Sequence, residues 1–116
     1  MGMVSGKAEG DRMTPEHRIQ TEIRAALMPY AVIFRANVGR VRTPDGRYFS
    51  TGLPAGFSDL FGFRKSDGKA VFIEVKTPSG RVTKQQERFL CIMRKSGAIA
   101  GVCHSVEEAM QLIMEE

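Results

Sequence analysis

Phe72-Ile73-Glu74-Val75-Lys76 is a run apolar enough for a central strand, yet it carries an acid and a base two positions apart. Side chains alternate along a strand, so Phe72, Glu74 and Lys76 share one face while Ile73 and Val75 occupy the other. A buried charge is costly unless it is paired or bound to a metal. The bland alternative is an edge strand whose ion pair faces water. Asp59, at the start of the run Leu60-Phe61-Gly62-Phe63, bears on that choice because residues 65–69, Lys-Ser-Asp-Gly-Lys, read as the turn of a hairpin joining the two runs. With Ser66-Asp67 as a two-residue loop, Asp59 stands opposite Glu74. With Ser66 to Lys69 as a four-residue loop, it stands opposite Lys76 and diagonal to Glu74. A three-residue loop would separate them unless a bulge intervened. Two carboxylates on one face repel, and a divalent cation relieves the repulsion. Magnesium suits such a pair, being a hard ion held by one or two carboxylates, water and phosphate oxygens.

Outward from this hairpin the chain reads as a mixed α/β domain. Thr14-Pro15-Glu16 has a hydroxyl cap, proline at the first helical position and an acid at the positive end of the dipole, and opens a helix to about Met28. Ile19, Ile23, Ala26 and Leu27 form its apolar stripe. A β-rich segment follows from Ala31 to Val38. Arg40-Val41-Arg42 and Arg47-Tyr48-Phe49 then flank the turn Pro44-Asp45-Gly46, giving a hairpin with a basic exposed side. Thr83 and Gln86 make a capping box for a helix running to Gly97. Ala98 to Cys103 reads as a buried strand. Ser105 and Glu108 repeat the box before a last helix with Val106, Ala109, Met110 and Ile113 inward. Residues 1–13 show no period and read as a disordered tail, leaving 14–116 as one domain.

Composition narrows the function. The chain has 116 residues, 42% hydrophobic and 26% charged, with 17 Lys and Arg against 13 Asp and Glu. That is one soluble domain with a net charge of +4, which favours a polyanionic partner. No apolar run is long enough to span a membrane, and the start lacks a secretory signal. Cys91 and Cys103 have neither zinc-finger spacing nor the density of a disulfide scaffold, so an intracellular, cytoplasmic location is expected.

Gly56-Phe57-Ser58-Asp59-Leu60, Ile73-Glu74-Val75-Lys76, and Thr83 with Gln86 on the next helix resemble the PD-(D/E)XK nuclease superfamily. More closely they resemble its virus-type replication-repair nuclease branch, VRR-NUC. The likeness extends to Glu16-x-x-Ile19-Gln20, the Gly80-Arg81 loop and the closing strand and helix. One departure is Ser58, where the superfamily name has proline; that position shapes the turn more than the chemistry.

The resemblance implies a restriction-endonuclease-like core, a mixed β-sheet flanked by helices in the order α-β-β-β-α-β-α. It implies hydrolysis of phosphodiester bonds in DNA with Mg²⁺ or Mn²⁺, branched DNA such as four-way junctions as substrate, a homodimer, and a phage or prophage as a fitting source. By motif position, Asp59, Glu74 and the Val75 carbonyl would hold the metal. Lys76 would position the attacking water and stabilise charge on the phosphate, the role favoured over that of a base because two acids beside it oppose loss of its proton. Glu16 and Gln86 gain catalytic roles by family position, although each is also explained by its helix end alone. Arg40, Arg42, Arg47, Arg81 and Lys84 are the candidates for DNA contact, as phosphate binders with little base discrimination. Competing readings are a sequence-specific restriction-type endonuclease subunit and a non-catalytic DNA-binding module with the same fold. No structural partner of Asp59 is evident in the sequence, so Asp59→Asn is expected to leave metal-free stability unchanged or slightly raised.

Overall fold

The computed structural model describes residues 13–38 and 40–115, with only the backbone described at Arg40 and Val41. The expected tail, apart from Met13, lies outside the described residues.

Helix α1 spans Pro15–Leu27, with the Thr14 hydroxyl accepting from the His17 N–H at 3.1 Å, as the sequence signal requires. Strand β1 is Ala31–Arg35, followed by a short pair, β2 Arg40–Arg42 and β3 Tyr48–Ser50, then β4 Leu60–Arg64 and β5 Ala70–Val75. Helix α2 covers Lys84–Lys95, strand β6 Ile99–Cys103 and helix α3 Val106–Met114. The main sheet is ordered β1-β4-β5-β6, antiparallel except for the parallel β5–β6 pair across which α2 is the connection. β2 and β3 form a separate two-stranded ribbon inserted between β1 and β4. With that ribbon set apart, the element order fits the expected α-β-β-β-α-β-α core.

The sheet has two differently covered faces. Leu60, Val71, Ile73 and Val75 point toward α1 and α3 and pack with Ile23, Leu27, Ala109 and Ile113, all buried. The opposite face carries aromatics. Phe72 meets Phe89 of α2, and Phe57, from the loop before β4, makes ring contacts with Phe61, Phe72 and Phe89 at centroid distances of 5.5, 5.9 and 4.8 Å. β1 and β4 run so close that a Cβ on Gly62 would sit 1.7 Å from the Val32 carbonyl oxygen, which explains a glycine in mid-strand.

Three details depart from the sequence reading. β1 ends at Arg35 rather than reaching Val38, although one further in-register bond, from the Ala36 N–H to the Asp59 carbonyl, follows it. The β4–β5 loop is the four residues 65–68: Arg64 N–H bonds the Lys69 carbonyl and Gly68, at φ +75°, bonds back to Arg64, which keeps the register of a two-residue turn. The capping box expected at Ser105 is displaced, since Glu108 reaches the His104 N–H rather than that of Ser105.

Candidate active site

The β4–β5 register pairs Leu60 with Ile73, and carrying it one residue further sets Asp59 opposite Glu74. Of the alternative registers, the one with the two acids face to face is therefore the one adopted. The loop that delivers Asp59 is held from both sides. Gly56, at φ +91°, lies so close to the first turn of α2 that a Cβ would meet the Gln85 carbonyl oxygen at 2.7 Å. Phe57 fills the aromatic cluster, and the fully buried Ser58 donates its hydroxyl to the Leu60 carbonyl at 2.9 Å. Ser58 thus braces the turn around Asp59 by a hydrogen bond where the superfamily pattern has proline.

Asp59 Oδ2 accepts from the Val75 N–H at 2.8 Å. In a continued ladder that N–H would bond the backbone of Ser58, so the carboxylate replaces the next rung. One residue's N–H and C=O point to the same side of a strand. The Val75 carbonyl accordingly faces the Asp59 side, while the Lys76 N–H turns to β6 and bonds the Cys103 carbonyl.

Glu74 is 1% exposed. Its Oε2 accepts from Gln86 Nε2 at 3.0 Å and lies 3.8 Å from Lys76 Nζ, whereas its Oε1 is buried with no donor to accept from. Burial first, then the charge and close approach of Asp59, push the Glu74 carboxyl up to about 8; Lys76 opposes the shift and Glu16 adds to it. Metal-free, this is a site that keeps a proton on an acid at neutral pH. Gln86 unites its two sequence readings in one side chain: its Oε1 accepts from the Thr83 N–H at 2.9 Å as the helix cap, and its Nε2 reaches Glu74.

The other expected residues are placed less centrally. Glu16 lies in the first turn of α1, near enough to bear electrostatically on Glu74 and without a described hydrogen bond to it. Arg81 and Lys84 are exposed on the loop and first turn leading to Gln86. Arg42 and Arg47 lie on the β2–β3 ribbon, Arg47 paired with Asp45 at 2.9 Å, and the Arg40 side chain is outside the described residues. Arg64 and Lys65 stand at the far end of β4 from Asp59; Arg64 bonds Asp67 and the carbonyls of Ile113 and Glu115, and Lys65 bonds the Met28 carbonyl. His104 pairs with Glu108 at the start of α3, well apart in role from the acids. Gly56, Phe57 and Ser58 are positioning residues, which the sequence marks only as the motif stretch leading to Asp59.

Among the described residues no group of three or more His, Cys, Asp or Glu side chains could hold a metal. The available donors are two carboxylates and a backbone carbonyl, among them a buried Glu74 oxygen with no donor to accept from. Hard oxygen donors in this number fit Mg²⁺ or Mn²⁺ completed by water and phosphate oxygens, and do not fit a four-ligand zinc site.

An acid at the mouth of one strand, Glu-x-Lys on its neighbour, and helices on both faces of a mixed sheet make up the arrangement of the PD-(D/E)XK class. A solved structure titled "VRR_NUC domain" shares the fold, with a TM-score of 0.60 at 24% identity over 86% of this chain and 95% of that one. Residues 37–107 match the VRR-NUC domain, and the chain belongs to that family, which implies a nuclease of the PD-(D/E)XK type. No curated protein matches the chain.

Proposed function

We propose that the protein is a divalent-metal-dependent endonuclease that hydrolyses phosphodiester bonds in branched DNA, such as four-way junctions, and works as a homodimer. The observation that carries the reading is the buried Glu74 carboxyl: one oxygen has no hydrogen-bond donor, the other gathers Lys76 and Gln86, and Asp59 is close enough to raise its pKa. An acid held this way weakens the metal-free fold and gains its counter-charge from a cation.

Asp59, Glu74 and the Val75 carbonyl would hold Mg²⁺ or Mn²⁺. Such an ion polarises a phosphoryl oxygen and lowers the pKa of bound water. The chain's own groups supply the rest. Lys76 is 15% exposed at its side chain and fixed against Glu74, so its ammonium can orient a water for in-line attack and stabilise the charge that grows on the phosphate. Gln86 holds the Glu74 carboxylate in place from a helix cap that is itself fixed. Arg81 and Lys84 are set to contact phosphates beside the cut.

For the dimer, support comes from the β1–β4 side of the sheet. Phe34 on β1 and Phe63 on β4 are 50% and 42% exposed on the face that α2 leaves open, a surface suited to a second copy. Among the described residues no helix is long and apolar enough to cross a membrane, and neither Cys91 nor the buried Cys103 is in a disulfide, as suits the reducing cytoplasm.

The test is incubation of purified protein with supercoiled plasmid and with a four-way junction, in Mg²⁺, Mn²⁺ or EDTA, beside Glu74→Ala and Lys76→Ala. Metal-dependent cutting lost in both variants is expected. Equal cutting by parent and variants would remove the assigned site, binding without any cutting would favour a non-catalytic module, and fixed cuts in linear duplex would favour a restriction-type enzyme.

A further inference from the structure

Among the described residues the β2–β3 ribbon pairs with no strand of the main sheet, yet its turn is closed by its own hydrogen bonds. Its turn is closed by Gly46 N–H on the Thr43 carbonyl and Thr43 N–H on the Arg47 carbonyl, at 2.9 and 2.7 Å. Asp45 bonds the Thr43 hydroxyl and bridges Arg47, and Gly46 supplies the positive φ the turn needs. Tyr48 and Phe49 are 55% and 53% exposed, and they project to opposite faces of the ribbon. The Arg42 guanidinium lies 5.7 Å over the Tyr48 ring. Residues 40–50 hold three arginines against one aspartate. Half-exposed aromatic rings on a basic ribbon suit a binding surface.

Both ends of the ribbon are anchored at the candidate active site. The chain leaves β1 just after Arg35, opposite Leu60, and the next residue, Ala36, bonds the Asp59 carbonyl at 2.8 Å. It returns through the loop whose Gly56 and Phe57 pack on α2 and whose next residues are Ser58 and Asp59. A phosphate held at Asp59 and Glu74 would therefore lie at the root of the ribbon, with the flanking DNA along it.

We infer that the β2–β3 ribbon is a DNA arm that selects branched substrates: Arg42 and Arg47 contact phosphates flanking the cut, and Tyr48 and Phe49 stack on bases left without a neighbour at the branch point. This rests on the nuclease reading above. A two-stranded ribbon fits a DNA groove, and ring stacking on bases is tolerant of sequence. A continuous duplex must be unstacked before a ring can enter, whereas an open branch already presents exposed base faces, so the rings favour the branch.

The experiment is fluorescence anisotropy in EDTA at low salt, using a labelled four-way junction and a linear duplex of the same arm sequence, with the parent, Phe49→Ala, Tyr48→Ala and Arg42→Ala. Each ring variant should lower the junction-to-duplex affinity ratio about tenfold. Arg42→Ala should weaken both ligands and reduce the salt slope by about one. An unchanged ratio in both ring variants overturns the inference. So does a shift from dimer to monomer in sedimentation of Phe49→Ala, which would make the ribbon an interface between copies. A parent that binds with ring-dependent preference but cuts nothing would sink the nuclease reading and leave the arm standing; a parent that cuts while the ratio stays fixed in the ring variants would sink the arm alone.

Discussion

Replacing Glu74 with glutamine should stabilise the metal-free protein at neutral pH, although it removes a residue central to the proposed chemistry. Burial and Asp59 raise the Glu74 carboxyl from 4.5 to about 8, so the folded protein keeps a proton that the unfolded chain has released. An acid whose folded pKa lies above its unfolded one weakens the fold as pH climbs between the two. Below about 4.5 both states are protonated and nothing is lost; above about 8 the full penalty applies. At 1.36 kcal/mol per pH unit, the penalty at pH 7 is roughly 3 kcal/mol, with an upper limit of about 5 at higher pH. Glutamine resembles the protonated acid in shape, can still accept from Gln86 Nε2, and can offer its own N–H to Asp59. Glu74→Gln should thus raise the melting temperature in EDTA at pH 7 by of order 10 °C and leave it nearly unchanged at pH 4.5. Urea or thermal unfolding at both pH values measures this. A variant no more stable than the parent at pH 7, or a parent whose stability is flat from pH 5 to 8, would refute the reasoning.

Three further outcomes follow from the same geometry. Asp59→Ala should cost about 1–3 kcal/mol in metal-free urea unfolding, because the buried Val75 N–H loses its acceptor, while Asp59→Asn retains an acceptor oxygen and should cost less than Asp59→Ala and still lose metal-dependent cutting. The sequence offered no structural partner for Asp59; the Val75 N–H is that partner. Gln86→Glu keeps the capping acceptor for Thr83 but replaces the donor to Glu74 with a third acid, so circular dichroism should show α2 intact while the cutting rate at neutral pH falls at least ~10-fold; an active variant would reduce Gln86 to a cap. Gly62→Ala should fail to give the parent's cooperative melt, since its Cβ has no room against the Val32 carbonyl; an unchanged melting temperature would mean the β1–β4 spacing is wrong.

Much of this was legible in the residues because the signals were local. Thr14-Pro15 and Thr83-x-x-Gln86 mark helix starts through hydrogen bonds that span only three residues, and both form as read. Period two alone puts Glu74 and Lys76 on one face. What lay beyond the sequence depends on contacts between distant residues. The β4–β5 register required a choice among turns that Lys65 to Lys69 permits equally, and it is fixed by the pairing of Leu60 with Ile73 and of Gly62 with Val71 across the sheet. Gln86 had two sufficient explanations, and only the approach of α2 to β5 reveals that one amide satisfies both. Phe57 carries no packing signal in the sequence because its partners Phe61, Phe72 and Phe89 come from three other elements.

The most direct test of the central claim is single-turnover cleavage of an end-labelled four-way junction in Mg²⁺ by the parent and Lys76→Ala. With an ammonium held 3.8 Å from Glu74 stabilising the transition state, Lys76→Ala should cut ~100-fold to 1,000-fold more slowly while still binding the junction. Cleavage at the parental rate would contradict the account, since Asp59, Glu74 and Lys76 would then not form one catalytic centre.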